Sequence, residues 1–341
     1  MNYDEMSNRF SEYSAVRDRG AGLIDLSAGG RIIVSGSEAV MFLNGLITND
    51  MKTLAGHSWM PAAFTNVQGR LLAVVRVLNL ADHFLIDTER ATHAKVLELL
   101  GRFTLAGDFH VTDATEEIAT LSVQGRGAAD LIRTVFGDML GNLERGKVLT
   151  APFRESTVTI ICATHTAEAG FDLFVSIDNA SELQGALIDA GAVVVGEDVS
   201  ETLRIEAGIP RYGVDMDETT VLNETNLDDA VSFTKGCYVG QEIVVRIMHR
   251  GHVAKKLAGI MLDQQAELPS GTKILSDNDQ EIGRVTSSTA SPRLQRAIAL
   301  AYVKYDYLAP RTKIKIADLT GVVTELPFVR GSWYEGSAPK G

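Results

Sequence analysis

Apolar and polar positions along the first two hundred residues sort into strand-like and helix-like segments that alternate irregularly. RIIVSG (31–36) is β-branched and stops at Gly36, and Ala39, Leu43, Leu46 and Ile47 follow at helical spacing. Ser35 and Glu38 stand in capping-box spacing ahead of them, so a strand leading into an amphipathic helix is predicted. LLAVVRVLNL (71–80) and HFLIDT (83–88) read as paired strands, and ATHAKVLELLGRF (91–103) as a helix. The cycle repeats with IATLSVQ (118–124) before AADLIRTVF (128–136). It recurs with FDLFVSI (171–177) before a helix near 180–190, where Asn179 and Glu182 again have cap spacing. Strands and helices intermix without a regular βαβ repeat, which favours an α+β fold over a doubly wound sheet.

After about residue 256 the texture changes. KLAGIML, TKILS, EIGRVTSS, AIALAYV and TKIKIA are short strand candidates separated by turn-rich LPSG, SDNDQ, SPRLQ and LAPR, which predicts a small all-β barrel or sandwich. The chain therefore divides into a region 1–256, a β module 257–330 and a Gly/Ser-rich tail 331–341.

Composition narrows the function. The 341 residues carry 44 acids against 32 bases, a net charge of -12, which disfavours broad nucleic-acid or anionic-membrane binding. Two cysteines, Cys162 and Cys237, give no disulfide framework, and two thiolates fall short of the roughly four ligands of a structural zinc or an iron–sulfur cluster. The opening MNYDEMSNRF lacks the basic and apolar regions of a signal peptide, and the apolar stretch 71–86 is interrupted by Arg76, Asp82 and His83. A soluble, cytoplasmic, multidomain protein is expected.

Most motif candidates have plain structural readings. Gly20-Ala21-Gly22 and Gly125-Arg126-Gly127 begin a G-x-G pattern, but Asp25 and Asp130 stand where the third glycine of a dinucleotide fingerprint belongs, so tight turns are predicted. His249 and His252, with Cys237 upstream, lack a fourth ligand, and no metal site is assigned. The acids of 215–229 miss the calcium-loop pattern and read as a solvated loop. Cys162 lies in an apolar strand and reads as structural. One segment differs: from Lys235 to Lys256 there are five Lys/Arg and one acid, Glu242, a local charge of +4 that suits an anionic ligand or partner. Cys237 lies within it two residues from Lys235, a neighbour that favours the thiolate, while a buried structural thiol on a turn is the alternative.

Lys235-Gly236-Cys237-Tyr238-Val239-Gly240-Gln241-Glu242 resembles the K-G-C-[YF]-x-G-Q-E signature of the YgfZ-type folate-binding proteins, relatives of the glycine cleavage T-protein (aminomethyltransferase) implicated in iron–sulfur cluster assembly or repair. Segments 15–27, 32–50, 121–132, 166–175, 203–218 and 282–303 extend the resemblance along nearly the whole chain. It implies a three-lobed ring: two α+β lobes within 1–256 and a small C-terminal β-barrel, around a cavity for tetrahydrofolate or a one-carbon derivative, with Cys237 at its mouth.

Departures from the T-protein pattern bear on activity. Where T-proteins resemble G-G-[IV]-[IV]-D-D, this chain has Gly69-Arg70-Leu71-Leu72-Ala73-Val74, so the family's catalytic aspartate is replaced by Ala73 or Val74 and the acid–base role has no occupant there. The resemblance puts Asp172 at a carboxylate suited to the pterin, with Glu168 as an alternative acceptor, and puts Ser200 where a family arginine stands. Arg204 either contacts folate or bonds helix-end carbonyls, and charge alone places the glutamate tail of folate at Arg246 and Arg250. The resemblance thus implies an accessory protein for iron–sulfur clusters with Cys237, flanked by Lys235, as nucleophile, transient ligand or redox group, and iron–sulfur proteins or assembly factors as transient partners. A folate-dependent one-carbon transferase on an amine and a docking scaffold using the basic 235–256 face are the other two classes.

Overall fold

A computed structural model describes residues 3–102, 107–140, 143–266 and 268–335, without the side chains of 3–6 and 250. Helix α1 (Tyr3–Arg17) leads into strand β1 (Gly22–Asp25). The first lobe follows as β2 (Gly30–Ser35), α2 (Ala39–Leu46), β3 (Ser58–Thr65), β4 (Leu71–Asn79), β5 (Phe84–Thr88), α3 (His93–Gly101) and β6 (His110–Asp113). The second contains β7 (Ile118–Gln124), α4 (Ala128–Phe136), β8 (Val148–Phe153), β9 (Ser156–Cys162), β10 (Gly170–Ser176), α5 (Ile177–Asp189), β11 (Val193–Val194) and α6 (Glu197–Glu206). A long connection holding α7 (Gln241–Arg250) reaches the barrel strands β12 (Lys255–Leu262), β13 (Lys273–Leu275), β14 (Glu281–Ser291), β15 (Arg296–Lys304), β16 (Lys313–Ile316) and β17 (Leu319–Thr324).

Each unit buries one apolar face. In the first lobe the sheet β3-β4-β5-β2-β6 packs Ile32, Val75, Val77 and Ile86 against Leu43 of α2 and Val96 and Leu100 of α3. In the second, the sheet β11-β1-β7-β10-β9-β8 packs Leu121, Val123, Ile160 and Leu173 against Ile132 of α4 and Leu183 and Leu187 of α5. The barrel closes in the order β12-β15-β14-β13-β16-β17 around Ile260, Ile274, Ile282, Ala299 and Ala301. The expected α+β architecture with a late all-β barrel is thus present, and no helix among the described residues is long and apolar enough to cross a membrane.

Several local expectations change. The helix after β2 starts at Ala39 with Glu38 as N-cap and no side-chain cap, because the Glu38 carboxylate accepts the Asp108 backbone N–H instead. Asn179 and Glu182 lie inside α5, which begins at Ile177, rather than at its cap. The acidic stretch is not wholly solvated: Asp215 is 2% exposed and Glu224 8%. The two G-x-G turns serve each other. Gly127 N–H donates to the Gly20 carbonyl at 2.8 Å, and Gly125 has φ +140° with no room for a side chain against that same carbonyl.

The remaining faces of the two sheets meet through Leu78 and Leu85 of the first lobe and Val148, Ile161 and Phe174 of the second. Where modules join, buried arginines recur. Arg17 donates to Glu206 at 2.7 and 3.0 Å, to the Thr166 carbonyl and to Glu168, while Tyr13 and Ser291 also donate to Glu206. Glu168 in turn accepts the backbone N–H and hydroxyl of Ser332 at 2.7 Å, tying residues after the barrel to the second lobe. Truncating Arg17 would leave two buried carboxylates short of their cation. Arg17→Met is expected to cost about 3–5 kcal/mol, read as a lowered denaturant midpoint in equilibrium unfolding.

Candidate functional site

Strand β4 governs what faces the seam between the lobes. A bulge against β3 lies between the pairs Phe64–Ala73 and Thr65–Leu71, so Leu71 and Val74 share one face while Ala73, Val75 and Val77 turn into the first-lobe core. Val74 packs against a cluster of Ala63, Leu71, Met216 and Leu222, on which Tyr212, Leu227 and Val231 of the connection also pack. Neither Ala73 nor Val74 carries an ionisable atom. Two residues further on, Arg76 lies on the Val74 face of the strand and enters the seam.

The Arg76 guanidinium joins two carboxylates from different lobes. It donates to Asp87 of β5, its cross-strand partner, at 2.6 and 2.9 Å, and to Asp172 of β10, and it stands over the Phe174 ring. Asp172 is fully buried and accepts further bonds from the Ser122 hydroxyl at 2.6 Å and from His165 Nε2 at 2.9 Å. Gln124 extends the network by donating to the Ser122 hydroxyl and the Ala163 carbonyl. Burial alone would raise the Asp172 pKa, but the charges of His165 and Arg76 and the hydrogen bonds outweigh it and hold the carboxyl well below the ordinary range. Glu89, just beyond β5, completes the polar groups here. It accepts the Tyr212 N–H at 3.2 Å, and burial raises its pKa to about 7.

The other predicted residues lie apart from one another. Glu168 belongs to the Arg17 seam, not to Asp172. Arg204 uses all five of its N–H donors: on Glu201 through Nε and Nη2, on Ser287 through Nη2, and on Asp215 and the Ile209 carbonyl through Nη1. It therefore bonds the carbonyl beyond α6 and joins that helix to the barrel. Arg246 is exposed and pairs with Glu242 one turn away on α7. The Arg250 side chain lies outside the described residues.

The Lys235–Glu242 segment is built as a clamped loop. The Lys235 ammonium donates to the carbonyls of Asn44, Ile47 and Asn49 at 2.7–2.9 Å, so all three donors hold the end of α2 and the turn after it. Burial lowers its pKa to about 8. Gly240 starts α7 at φ +86°, where a Cβ would come within 2.4 Å of the Asn66 carbonyl, and Thr65 donates to the Val239 carbonyl. Gln241 donates back to the Lys235 carbonyl, Tyr238 is buried, and Cys237 is exposed. The loop packs on the β3–β4 turn through Gly240 and on residues 44–49 through Lys235, and Asn49 of that segment donates to the carbonyl of Pro61, the residue paired with Arg76. A cleft of about 700 Å³ opens elsewhere, between residues 213–220 and barrel strands β14 and β15, and no predicted site residue lines it.

The fold is that of the glycine cleavage T-protein family. Residues 3–235 match the GCVT N-terminal domain and residues 255–330 the glycine cleavage T-protein C-terminal barrel domain, so the chain belongs to that family. It is 33% identical over 327 residues to an aminomethyltransferase of Rubrobacter xylanophilus, covering 94% of this chain and 86% of the relative. It is 29% identical to one of Halothermothrix orenii, covering 93% and 90%. Its fold matches the glycine cleavage system aminomethyltransferase T of Bartonella henselae with a TM-score of 0.86 at 22% identity, over 94% of this chain and 90% of the other. Aminomethyltransferases of this family use tetrahydrofolate, as the resemblance implied. The seam residues suit a pterin in kind: Asp87 and Glu89 offer acceptors for N–H groups, and Arg76 and His165 offer donors for a ring carbonyl.

Two outcomes are expected. Because folding depresses the Asp172 pKa, its stabilisation is present above the unfolded value of about 3.9 and is lost as pH falls through the folded value. Urea unfolding at pH 7, 4 and 3 should show an acid loss from this group of about 1 kcal/mol by pH 3, still growing as pH falls further, that Asp172→Asn removes. Native labelling with a maleimide should modify Cys237 alone, since burial pushes the Cys162 thiol up to about 11, and peptide mass mapping checks it.

Proposed function

We propose that this chain is a tetrahydrofolate-binding protein serving the assembly or repair of iron–sulfur clusters, with Cys237 as the group presented to a client. The reading rests above all on one observation, the clamped loop. A buried ammonium, a left-handed glycine and a side-chain hydrogen bond hold a segment whose thiol nevertheless faces solvent. A single thiolate supplies one ligand, and a cluster-bearing client supplies the others. The block Lys235–Glu242 also resembles the YgfZ-type signature, and neither Ala73 nor Val74 can serve as an acid or base.

Tetrahydrofolate would be held at the interlobe seam by Asp87, Glu89, Arg76 and His165, and when bound it supplies a reduced pterin able to carry a one-carbon unit. Asp172 acts through Arg76 and His165: its buried carboxylate orients both donors. The seam residues and the thiol belong to different segments of the chain, so folate binding and thiol chemistry are separable by mutation. A second reading, one-carbon transfer to or from an amine, is favoured by the aminomethyltransferase relatives and by the raised pKa of Glu89.

Complementation separates the two. In cells lacking the protein, restoring wild type should recover the specific activity of a cluster-dependent enzyme at least several-fold over Cys237→Ala at equal protein levels. Equal rescue by both removes the thiol from the function. No rescue by either, with product formed from methylene-tetrahydrofolate and an amine by purified protein, establishes the transferase reading instead.

A further inference from the structure

Glu89 stands in the turn between β5 and α3, where its own carbonyl accepts the backbone N–H groups of Thr92 and His93. The β4–β5 ladder pairs Arg76 with Asp87 and Val75 with Thr88. The ladder ends at that pair and Glu89 follows Thr88 directly, bonding the N–H of Tyr212, which packs on the same apolar cluster as Val74. The neighbouring strand thus brings a carboxyl group to the part of the sheet where β4 itself has only valine.

Its surroundings differ from those of the other seam acids. Both oxygens share a single donor, the Tyr212 N–H at 3.2 and 3.4 Å, and Glu89 makes no ion pair among the described residues. The charged groups that face it are Arg211, Arg204 and Asp87. Arg204 is committed to Glu201 and Asp215, and Arg211 pairs with Glu201, so neither cation is given to Glu89. Burial raises the carboxyl to about 7 against the pull of the Tyr212 N–H and both arginines, and Asp87 adds to the rise. A carboxyl half protonated at neutral pH can both give and take a proton, and this one keeps unfilled lone pairs.

We propose that Glu89 is the proton-transferring group of the interlobe seam, passing its carboxyl proton to a basic ring nitrogen of a bound reduced pterin. The O–H bond breaks, an N–H bond forms on the nitrogen lone pair, and the carboxylate left behind accepts the Tyr212 N–H and faces Arg211. No further reactant is required. The proposal rests on the tetrahydrofolate reading and is independent of Cys237.

Calorimetric titration of the full chain with tetrahydrofolate from pH 6 to 9 tests it. Affinity should fall about tenfold per pH unit above about 7 in the wild type, with net proton uptake on binding. Glu89→Gln keeps an oxygen for the Tyr212 N–H and should bind with that slope abolished. Equal slopes in the two proteins overturn the proposal while leaving the folate reading intact. Absence of binding by either protein at every pH overturns both. A carbon-detected NMR titration of the glutamate carboxyls in the ligand-free chain gives a second readout, in which the resonance missing from Glu89→Gln should have a midpoint near 7. A midpoint below 5 overturns the proposal whatever the binding result.

Discussion

A guanidinium buried between two modules must find acceptors in the plane of all its N–H groups, and those acceptors must come from both sides of the join. Three arginines meet that demand here, one at each seam. Arg17 draws α1, α6 and the second lobe together through Glu206, Glu168 and a carbonyl. Arg76 bridges the two sheets through Asp87 and Asp172. Arg204 fixes α6 to the barrel through Asp215 and Ser287. Apolar contact alone would let the lobes slide. The planar fork of each arginine specifies one relative position, because moving either partner strands a buried charge.

That constraint also shapes the chemistry available at the interlobe seam. Asp172 is so fully engaged that its oxygens serve the protein before any ligand, which makes it an organiser of Arg76 and His165. Asp87 and Glu89 are the carboxylates with acceptor capacity left. Lys235 obeys the same logic with carbonyls in place of carboxylates, and its charge, read in sequence as a neighbour for the Cys237 thiol, is consumed in holding α2.

Local pattern made much of the fold legible. The alternation over 71–79 and the apolar face of helix 128–136 report burial on one side, while 84–88 and 118–124 are buried on both faces and read as short apolar strand runs. Helix α1 left little trace because its buried face is narrow, with Tyr13 and Val16 packing on α6 nearly two hundred residues later. The site was less legible. In the sequence Arg76 only interrupts an apolar run, and its meaning comes from Asp172, 96 residues away. Glu89 looks like any acid before a helix, and only the fold brings it to the Tyr212 N–H, 123 residues away. The Lys235 acceptors are backbone carbonyls, which have no sequence signature at all.

Strand β1 pairs with β7 and β11, so the second lobe's sheet takes its strands from both sides of the first lobe. The first lobe is therefore an insertion in the second, entered after Asp25 and left before Ile118. During synthesis β1 emerges early and has no partner until the whole inserted lobe has followed it. The first lobe can complete its five-stranded sheet in the meantime, whereas the second must wait to close around a strand already made. The interlobe seam is then the last surface to form between them, assembled only when a finished domain meets one that has just closed.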